Sequence, residues 1–151
     1  MAMKATKMMP EVLLVDDNPA DIDLTSDALA RSKREMHVSS VEDGTEAILF
    51  LRRQGKYRES PAPDLVVLDL NLPRKTGREV LSDVRADPVL ATIPVVIFST
   101  SQATSDIMGS YKLGANCYLR KPGNLVEFVA VVQSMADFWL GTVSLPPKEK
   151  R

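Results

Sequence analysis

Apolar residues fall into five short runs that are separated by segments of helical spacing. The runs are rich in Val, Leu and Ile and have the length of buried strands. They are 11–16 (EVLLVD), 36–41 (MHVSSV), 64–69 (DLVVLD), 94–99 (PVVIFS) and 117–120 (CYLR). After each run, apolar residues recur every three or four positions, as on one face of an amphipathic helix. The pattern predicts strand and helix in alternation, five times over.

Capping residues mark where several of these helices begin and end. Asn18-Pro19 and Asp43-Gly44 are typical helix starts, and Asp87-Pro88 closes the third helix. The last helix is expected to run from 124 to 140. The predicted inward residues are Ile22, Thr25, Ala28 and Leu29, then Ala47, Ile48 and Leu51, then Val80, Leu81 and Val84, then Ile107, Met108 and Tyr111, and finally Leu125, Phe128 or Val129, Val132, Ala136 and Trp139.

Strands that are apolar almost throughout, alternating with helices, predict a parallel sheet covered on both faces. The 151 residues fit one doubly wound α/β domain. We expect a disordered leader over 1–9, the domain with an extended last helix over 10–141, and a flexible tail over 142–151. Right-handed crossovers bring the carboxyl ends of all strands to one edge of such a sheet, where ligands bind.

Four of the five predicted strands end in polar residues at that edge. These are Asp16 and Asp17, then Asp69, then Ser99 and Thr100, and finally Arg120 and Lys121, which precede Pro122. Each acid alone could be a cap at a strand end or helix start. Carboxylates crowded together repel one another unless a cation lies among them, and oxygen ligands without His or Cys suit Mg²⁺, or Mn²⁺ in its place.

Asp69 stands alone at the end of the central run, whereas Asp16 and Asp17 are adjacent and better arranged to hold a metal. A carboxylate beside such a metal can attack phosphorus, and a nearby lysine such as Lys121 would neutralise the charge on the transferring oxygens. The residues therefore predict an aspartyl-phosphate site with Asp69 as the nucleophile.

Composition narrows the classes of function. The chain is 44% hydrophobic and 26% charged with a net charge of -1, and it lacks the basic excess that nucleic-acid binding requires. No apolar run approaches the roughly 20 residues of a membrane span. We therefore expect a cytoplasmic protein that binds neither nucleic acid nor membrane. Cys117 and His37 are the only residues of their types, and both are interpreted as structural.

As a set, these motifs resemble the receiver domain of two-component response regulators, from about Glu11 to Leu140. The residues that carry the resemblance are LLVDDNP with its acid pair, VVLDLNLP with the acceptor acid, Gly77, PVVIFSTS with its hydroxyl, and YLRKP with its lysine. The resemblance implies a flavodoxin-like receiver fold with strand order 2-1-3-4-5.

The resemblance also implies a role for each matching residue. Asp69 would accept a phosphoryl group from the phosphohistidine of a histidine kinase. Asp17, Asp69 and the backbone carbonyl of Asn71 would bind Mg²⁺ directly, and Asp16 would act through water. Lys121 would pair with the acceptor and then with the phosphate, and the Lys121–Pro122 peptide is expected to be cis. Ser99 would bond the phosphate, and Tyr118 would follow it inward as the switch aromatic.

Within the family, the chain is more similar to the stand-alone regulators that accompany bacterial and cyanobacterial phytochrome kinases. The similarity lies in DNPAD, LRRQGKY, PAPDLVVLDLNLPRKTGREVL, FSTS, NCYLRKP and FWL. Two features depart from a minimal receiver. The 54–63 loop lengthens the connection into the third strand, and Gly123-Asn124 follow Pro122, which leaves the start of the last helix open.

The last helix has apolar residues away from its core face. Val131, Met135 and Phe138 form a second set, and with Trp139 and Leu140 they predict a symmetric homodimer. The alternative is a monomer in which the tail folds back over these residues. The sequence after 140, GTVSLPPKEKR, is not expected to fold into an output domain, so the protein should signal by binding.

Three functions therefore remain open. The first is a phosphorylation-dependent signalling module that turns over no separate substrate. The second is a constitutive receiver-like adaptor. The third is a Mg²⁺-dependent phosphatase or phosphotransferase, which is disfavoured because Asn71 stands where such enzymes carry a second acid.

Overall fold

The computed structural model describes residues 9–148. The expected leader therefore lies outside the described residues up to position 8, as does the end of the chain from 149. The strands are β1 Glu11–Val15, β2 His37–Val41, β3 Leu65–Leu68, β4 Val95–Ser99 and β5 Cys117–Arg120. The helices are α1 Pro19–Ala30, α2 Gly44–Arg52, α3 Gly77–Ala86, α4 Thr104–Lys112 and α5 Leu125–Asp137, with a 3₁₀ turn at Gly55–Tyr57 and a π-helical turn at Phe138–Thr142.

The five strands form one parallel sheet in the order β2-β1-β3-β4-β5. This confirms the predicted α/β fold and strand order. The central strands β1, β3 and β4 are buried on both faces, because helices cover the sheet from both sides. β2 lies at one edge and exposes most of its side chains, as an edge strand can.

Two apolar clusters fill the spaces between sheet and helices. The α1–α5 cluster includes Leu14, Leu29 and Val132, and the α2–α3 cluster includes Leu13, Leu51 and Leu81. Leu13 and Leu14 belong to opposite clusters because successive strand residues point to opposite faces. All of the predicted inward residues of α1, α2 and α3 are buried as expected.

The predicted inward residues of the last two helices are partly wrong. Met108 and Tyr111 of α4 are 51% and 48% exposed, and Leu125 of α5 is 61% exposed. α4 contacts the sheet at its edge strand β5, so its covered face is narrow, and Leu125 is the first residue of α5. Helical periodicity groups residues onto one face, but it does not say how far the neighbouring element extends.

The end of the chain packs on the domain. The π-helical turn prolongs α5 to Thr142, so the predicted extension of the last helix is present. Val143 and Leu145 then pack against the α1–α5 cluster, and Lys148 Nζ lies 3.3 Å from a carboxylate oxygen of Asp64. The expectation of a flexible tail from 142 is therefore wrong for 143–148, since its apolar residues find a place beside α5.

In the described part of the chain, one helix, Leu125–Thr142, is long and apolar enough to cross a membrane by length and composition alone. Its inner residues, which include Phe128, Val132 and Ala136, are buried against the sheet. Packing in the α1–α5 cluster accounts for only part of its apolar character, because 28% of the stretch is buried.

Candidate functional site

Two acids lie side by side at the carboxyl edge of the sheet because their strands are paired. β1 and β3 are in register with Val15 opposite Leu68, and each strand is followed directly by an acid. Asp16 and Asp69 are each 8% exposed, and Asp17 beside them is exposed to solvent. One carboxylate oxygen from each of the three acids lies within 4.8 Å of the others. The sequence prediction that these acids converge is met.

The turns after the two strands fix how the carboxylates point. The backbone N–H of Asn18 donates to Asp16 Oδ1 at 2.9 Å, and that of Asn71 donates to Asp69 Oδ1 at 3.2 Å. In each acid one oxygen is held by its own turn, and the other, Oδ2, accepts from Lys121 Nζ. Asn71 is placed directly beside the acceptor, while its predicted role as a metal ligand stays a prediction.

Lys121 follows β5 and reaches across the edge of the sheet. Its Nζ donates to Asp16 Oδ2 at 2.6 Å, to Asp69 Oδ2 at 2.8 Å and to Asp21 Oδ2 at 2.9 Å. The side chain is only 3% exposed. The predicted pairing of Lys121 with the acceptor is therefore present, together with two further ion pairs.

Burial and charge act in opposite directions on this lysine. Burial alone would lower the pKa of Lys121, but hydrogen bonds to Asp16, Asp69 and Asp21 outweigh it and raise that pKa above its ordinary value. The pKa of Asp16 is raised as well, chiefly by burial, although Lys121 and the Asn18 N–H oppose the shift. Burial thus favours the neutral form of Asp16, while the three carboxylates around Lys121 favour its charged form.

The charge balance and the donor atoms fit a divalent cation. Within residues 9–148 the site gathers the carboxylates of Asp16, Asp17, Asp21 and Asp69 around the single ammonium of Lys121. The three acids whose oxygens cluster offer only hard oxygen ligands, which Mg²⁺ and Mn²⁺ prefer. Asp17 is exposed, so the site is open to the water that Mg²⁺ retains when it binds.

The predicted hydroxyl and switch residues lie along β4 and β5. Ser99 is fully buried at the end of β4, and its Oγ accepts from the Ser101 N–H at 3.3 Å. Thr100 is exposed next to it. The half-buried Tyr118 ring packs against the α2–α3 cluster, and its hydroxyl donates to the Ser101 carbonyl at 2.9 Å. The tyrosine therefore already contacts the loop that follows Ser99.

Asp21 and the residues that anchor this loop were missed from the sequence. Ser101 Oγ donates to Asp106 Oδ2 at 2.5 Å, and Arg78 of α3 pairs with the same aspartate. Only the DNPAD motif carried a signal for Asp21, because its last acid falls in the first turn of a capped helix beside Asp16. Pairs such as Arg78 and Asp106 are far apart in the chain and left no local pattern.

The predicted cis peptide at Lys121–Pro122 is wrong, because this bond is trans. Trans is the lower-energy isomer of an X–Pro bond by about 0.5–1 kcal/mol. In trans, the lysine still reaches all three acids, and Asn124 still caps α5 by accepting from the Glu127 N–H at 3.1 Å.

The chain resembles proteins of known kind over most of its length. Residues 12–133 match the family described as the response regulator receiver domain. "Response regulator Rcp1" of Synechocystis sp. is 45% identical over 135 residues, which are 89% of this chain and 92% of Rcp1.

Two solved structures agree with that match. The phosphorylated cyanobacterial phytochrome response regulator RcpA superposes with a TM-score of 0.89 at 46% identity, covering 93% of this chain and 100% of RcpA. The Mn²⁺-bound form of Rcp1 superposes with a TM-score of 0.88 at 44% identity, covering 91% and 99% of the two chains. With its acid pair, acceptor acid and lysine gathered at the carboxyl edge of a 2-1-3-4-5 sheet, the chain belongs to the response regulator receiver domains.

Proposed function

We propose that the protein accepts a phosphoryl group on Asp69 from a histidine kinase of the phytochrome type, and that it signals by a change in protein–protein contacts. The observation that carries this is the buried pair of Asp69 with Lys121, whose atoms Oδ2 and Nζ are 2.8 Å apart beside two further acids. The phytochrome assignment is supported by the relatives, of which RcpA is described as a phytochrome response regulator and was solved phosphorylated.

The transfer would take place on Oδ2 of Asp69, the carboxylate oxygen that pairs with Lys121. This oxygen forms a bond to phosphorus while the P–N bond of the phosphohistidine breaks, and the leaving imidazole nitrogen keeps the electron pair. Lys121 Nζ moves from the carboxylate to the transferring oxygens and stabilises their charge. Asp17, Asp69 and the Asn71 carbonyl would hold Mg²⁺, with Asp16 acting through water, and the bound ion would supply further positive charge against these oxygens.

Ser99 and Tyr118 would pass the change on to the surface. The Ser99 hydroxyl lies on β4, the strand next to that of Asp69, where it can turn to donate to a phosphate oxygen. Such a turn removes the acceptor that the Ser101 N–H now uses, and Tyr118 bonds the carbonyl of that same residue. The loop between β4 and α4 is therefore the first segment that phosphorylation would move.

The acceptor is tested with acetyl phosphate, which needs no kinase. Wild-type protein incubated with acetyl phosphate and Mg²⁺ should gain one phosphoryl group by intact mass, and Asp69→Asn should gain none. Asp23→Asn, an exposed acid on α1, is the matched control and should label like wild type. Labelling that persists in Asp69→Asn would overturn the assignment of the acceptor.

The phytochrome pairing is tested separately, by comparing the rate of phosphoryl transfer from phytochrome-type kinases with the rate from unrelated histidine kinases.

We further propose that α5 carries a homodimer contact. Leu125, Val126 and Phe138 are 61%, 77% and 52% exposed on this helix. Two of the residues predicted for the contact, Met135 and Trp139, are buried in the protein's own α1–α5 cluster and are excluded as interface residues. Val131 and Leu140 are half-buried. The folded-back tail covers part of this region but leaves Phe138 open, so a second copy is the proposed partner.

Light scattering at micromolar concentration tests the dimer. Phe138→Ser combined with Val126→Ser should yield a monomer, whereas Val89→Ser, which alters an exposed apolar residue away from α5, should not change the mass. A wild-type monomer with and without phosphorylation would overturn the dimer proposal. If the size and partner affinity of the wild-type protein did not respond to phosphorylation, the constitutive adaptor would be favoured.

We also propose a cytoplasmic location, where a soluble receiver meets its kinase.

A further inference from the structure

Asp21 is a fourth carboxylate in the site, and it contacts the lysine rather than the metal cluster. An ammonium carries three N–H donors. Lys121 uses all three of its donors, because carboxylate oxygens of Asp16, Asp69 and Asp21 lie 2.6, 2.8 and 2.9 Å from Nζ. Asp21 thus completes the hydrogen bonding of a side chain that is only 3% exposed.

The three partners of Lys121 differ in what else they can bind. Asp16 and Asp69 belong to the group of acids whose oxygens could hold a cation, and Asp21 does not. A divalent cation held by this group, directly or through water, would draw the negative charge of Asp16 and Asp69 away from the ammonium. A metal bound at this cluster would weaken the contacts of Lys121 with Asp16 and Asp69 but would leave its contact with Asp21 in place.

The position of Asp21 is fixed by the start of α1. Asn18 caps the helix and its Oδ1 accepts from the Asp21 N–H at 3.3 Å, so the acid is held in the first turn. An acid in the first turn of a helix also has an ordinary explanation, since it offsets the helix dipole. That explanation does not require the carboxylate to reach a buried lysine that follows β5, as Asp21 Oδ2 does.

We propose that Asp21 is a positioning residue, which retains Lys121 beside Asp69 while the metal engages the other two carboxylates. Asp21 thereby strengthens metal binding and speeds phosphoryl acceptance. The effect on phosphoryl acceptance rests on the proposed function. Without Asp21, the ammonium has partners only among the acids that the metal needs. Lysine and metal then compete for Asp16 and Asp69, and each is held less well.

Isothermal titration with Mg²⁺ alone tests this without any phosphoryl transfer. Asp21→Asn should bind Mg²⁺ about 10-fold more weakly than wild type, a change typical of directly interacting charges. Asp23→Asn removes the same charge from the same helix at an exposed position and should change the affinity less than about 2-fold. Equal effects of the two substitutions would overturn the proposal, because the effect would then be one of net charge.

A double-mutant cycle with Lys121→Met isolates the contact. In the Lys121→Met background, Asp21→Asn should weaken Mg²⁺ binding no more than Asp23→Asn does. A full Asp21→Asn effect that survives the loss of the lysine would show that Asp21 acts on the metal through space, and it would overturn the positioning role. Circular dichroism of each variant confirms that α1 is intact.

The side-chain NMR signal of Lys121 gives a second readout that a purely structural role of Asp21 would not change. In wild type with Mg²⁺, the ¹⁵N-labelled ammonium should exchange slowly with water and remain visible. In Asp21→Asn with Mg²⁺ it should broaden or disappear, and an unchanged signal would overturn the proposal. Labelling with acetyl phosphate at saturating Mg²⁺ should be several-fold slower in Asp21→Asn. If wild type itself fails to label, the proposed function fails, while the Mg²⁺ and NMR results still decide the role of Asp21.

Discussion

Arg85 of α3 illustrates how a single side chain can hold several loops in place. Its guanidinium donates to the carbonyls of Gly114, Ala91 and Ile93 at 2.9–3.1 Å, and to Asn116 Oδ1 at 2.8 Å. Asn116 Oδ1 also accepts from the first N–H of β4, at 2.9 Å. One half-buried side chain thus joins the connections that precede β4 and β5, the strands that carry Ser99 and Lys121.

Replacing this arginine should destabilise the domain strongly. Arg85→Met keeps the aliphatic stem but leaves several carbonyls without their charged donor, and we expect a loss of about 2–4 kcal/mol in the free energy of unfolding. Urea denaturation measures it. The control is Arg31→Met, which removes an exposed pair with Asp27 and should cost less than about 1 kcal/mol. Similar losses in the two variants would contradict the bracing role.

Two residues cap the start of α3, the helix that follows Asp69 in the chain. Thr76 Oγ1 accepts from the Glu79 N–H at 3.2 Å, and the Thr76 N–H donates to Glu79 Oε1 at 3.1 Å. These reciprocal bonds form a capping box. The backbone bond from Thr76 and then its side chain lower the pKa of Glu79 below its ordinary value.

Thr76→Ala should cost about 1 kcal/mol of stability and should raise the pKa of Glu79 towards its ordinary value. Folding lowers this pKa, so the contribution of Glu79 is complete at neutral pH and is lost as the pH falls through the lowered value. The stability gap between wild type and Thr76→Ala should therefore narrow in acid. Carboxyl NMR titration and urea unfolding at several pH values measure both effects. Thr92→Ala, in an exposed turn, is the control.

At the scale of elements, the N-terminus of α3 packs directly on the segment that carries Asp69. A methyl group at Gly77 would lie 2.2 Å from the Asp69 carbonyl oxygen and 2.7 Å from Leu70 Cα. The Gly77 N–H also donates to the Leu70 carbonyl at 3.0 Å. This close approach explains why a glycine stands eight residues after the acceptor acid.

Gly77→Ala should therefore move the backbone beneath the acceptor. We expect a loss of about 3 kcal/mol in stability, since backbone cannot yield as a flexible side chain does, and slower labelling of Asp69 by acetyl phosphate. Gly123→Ala is the matched control, because among the described residues no heavy atom lies within 4 Å of the added methyl. If Gly77→Ala were as stable as Gly123→Ala, the close packing of α3 on this segment would be contradicted.

At the scale of the whole molecule, the segment after α5 closes one side of the fold. Val143 and Leu145 are half-buried against the cluster that α1 and α5 share, and Lys148 pairs with Asp64 before β3. Asp64 in turn accepts from the Glu11 N–H at the start of β1, at 2.8 Å. The tail thus contacts the amino-terminal edge of the sheet, opposite the edge that carries Asp69.

Val143→Ser combined with Leu145→Ser should lower the free energy of unfolding by about 1–2 kcal/mol, because two half-buried apolar side chains lose their transfer free energy. Ser144→Ala, between them and exposed, should change it by less than about 0.5 kcal/mol. Urea unfolding measures both. Labelling of Asp69 should be unchanged in the double variant, since the tail lies at the other edge of the sheet. Wild-type stability in the double variant would mean that the tail is not docked in solution.

Local sequence patterns were enough to predict the alternation of elements, the parallel sheet and the identity of the acids and lysine that converge on its edge. These follow from local rules: strand residues point to alternate faces, caps start helices, and crossovers of one hand bring the carboxyl ends of the strands together. Asp16, Asp69 and Lys121 could therefore be placed in one site from the order of the strands alone.

The contacts that these residues make became clear only in the folded chain. The third carboxylate on Lys121 depends on the contact between the first turn of α1 and the residue after β5, and the trans bond to Pro122 left no signal in the sequence. The exposure of Leu125 and the burial of Trp139 depend on how far α5 extends over its neighbours. So does the docking of Val143 and Leu145. Such contacts join residues that are distant in the chain, and they are selected by packing and by the balance of buried charge, which no local pattern records.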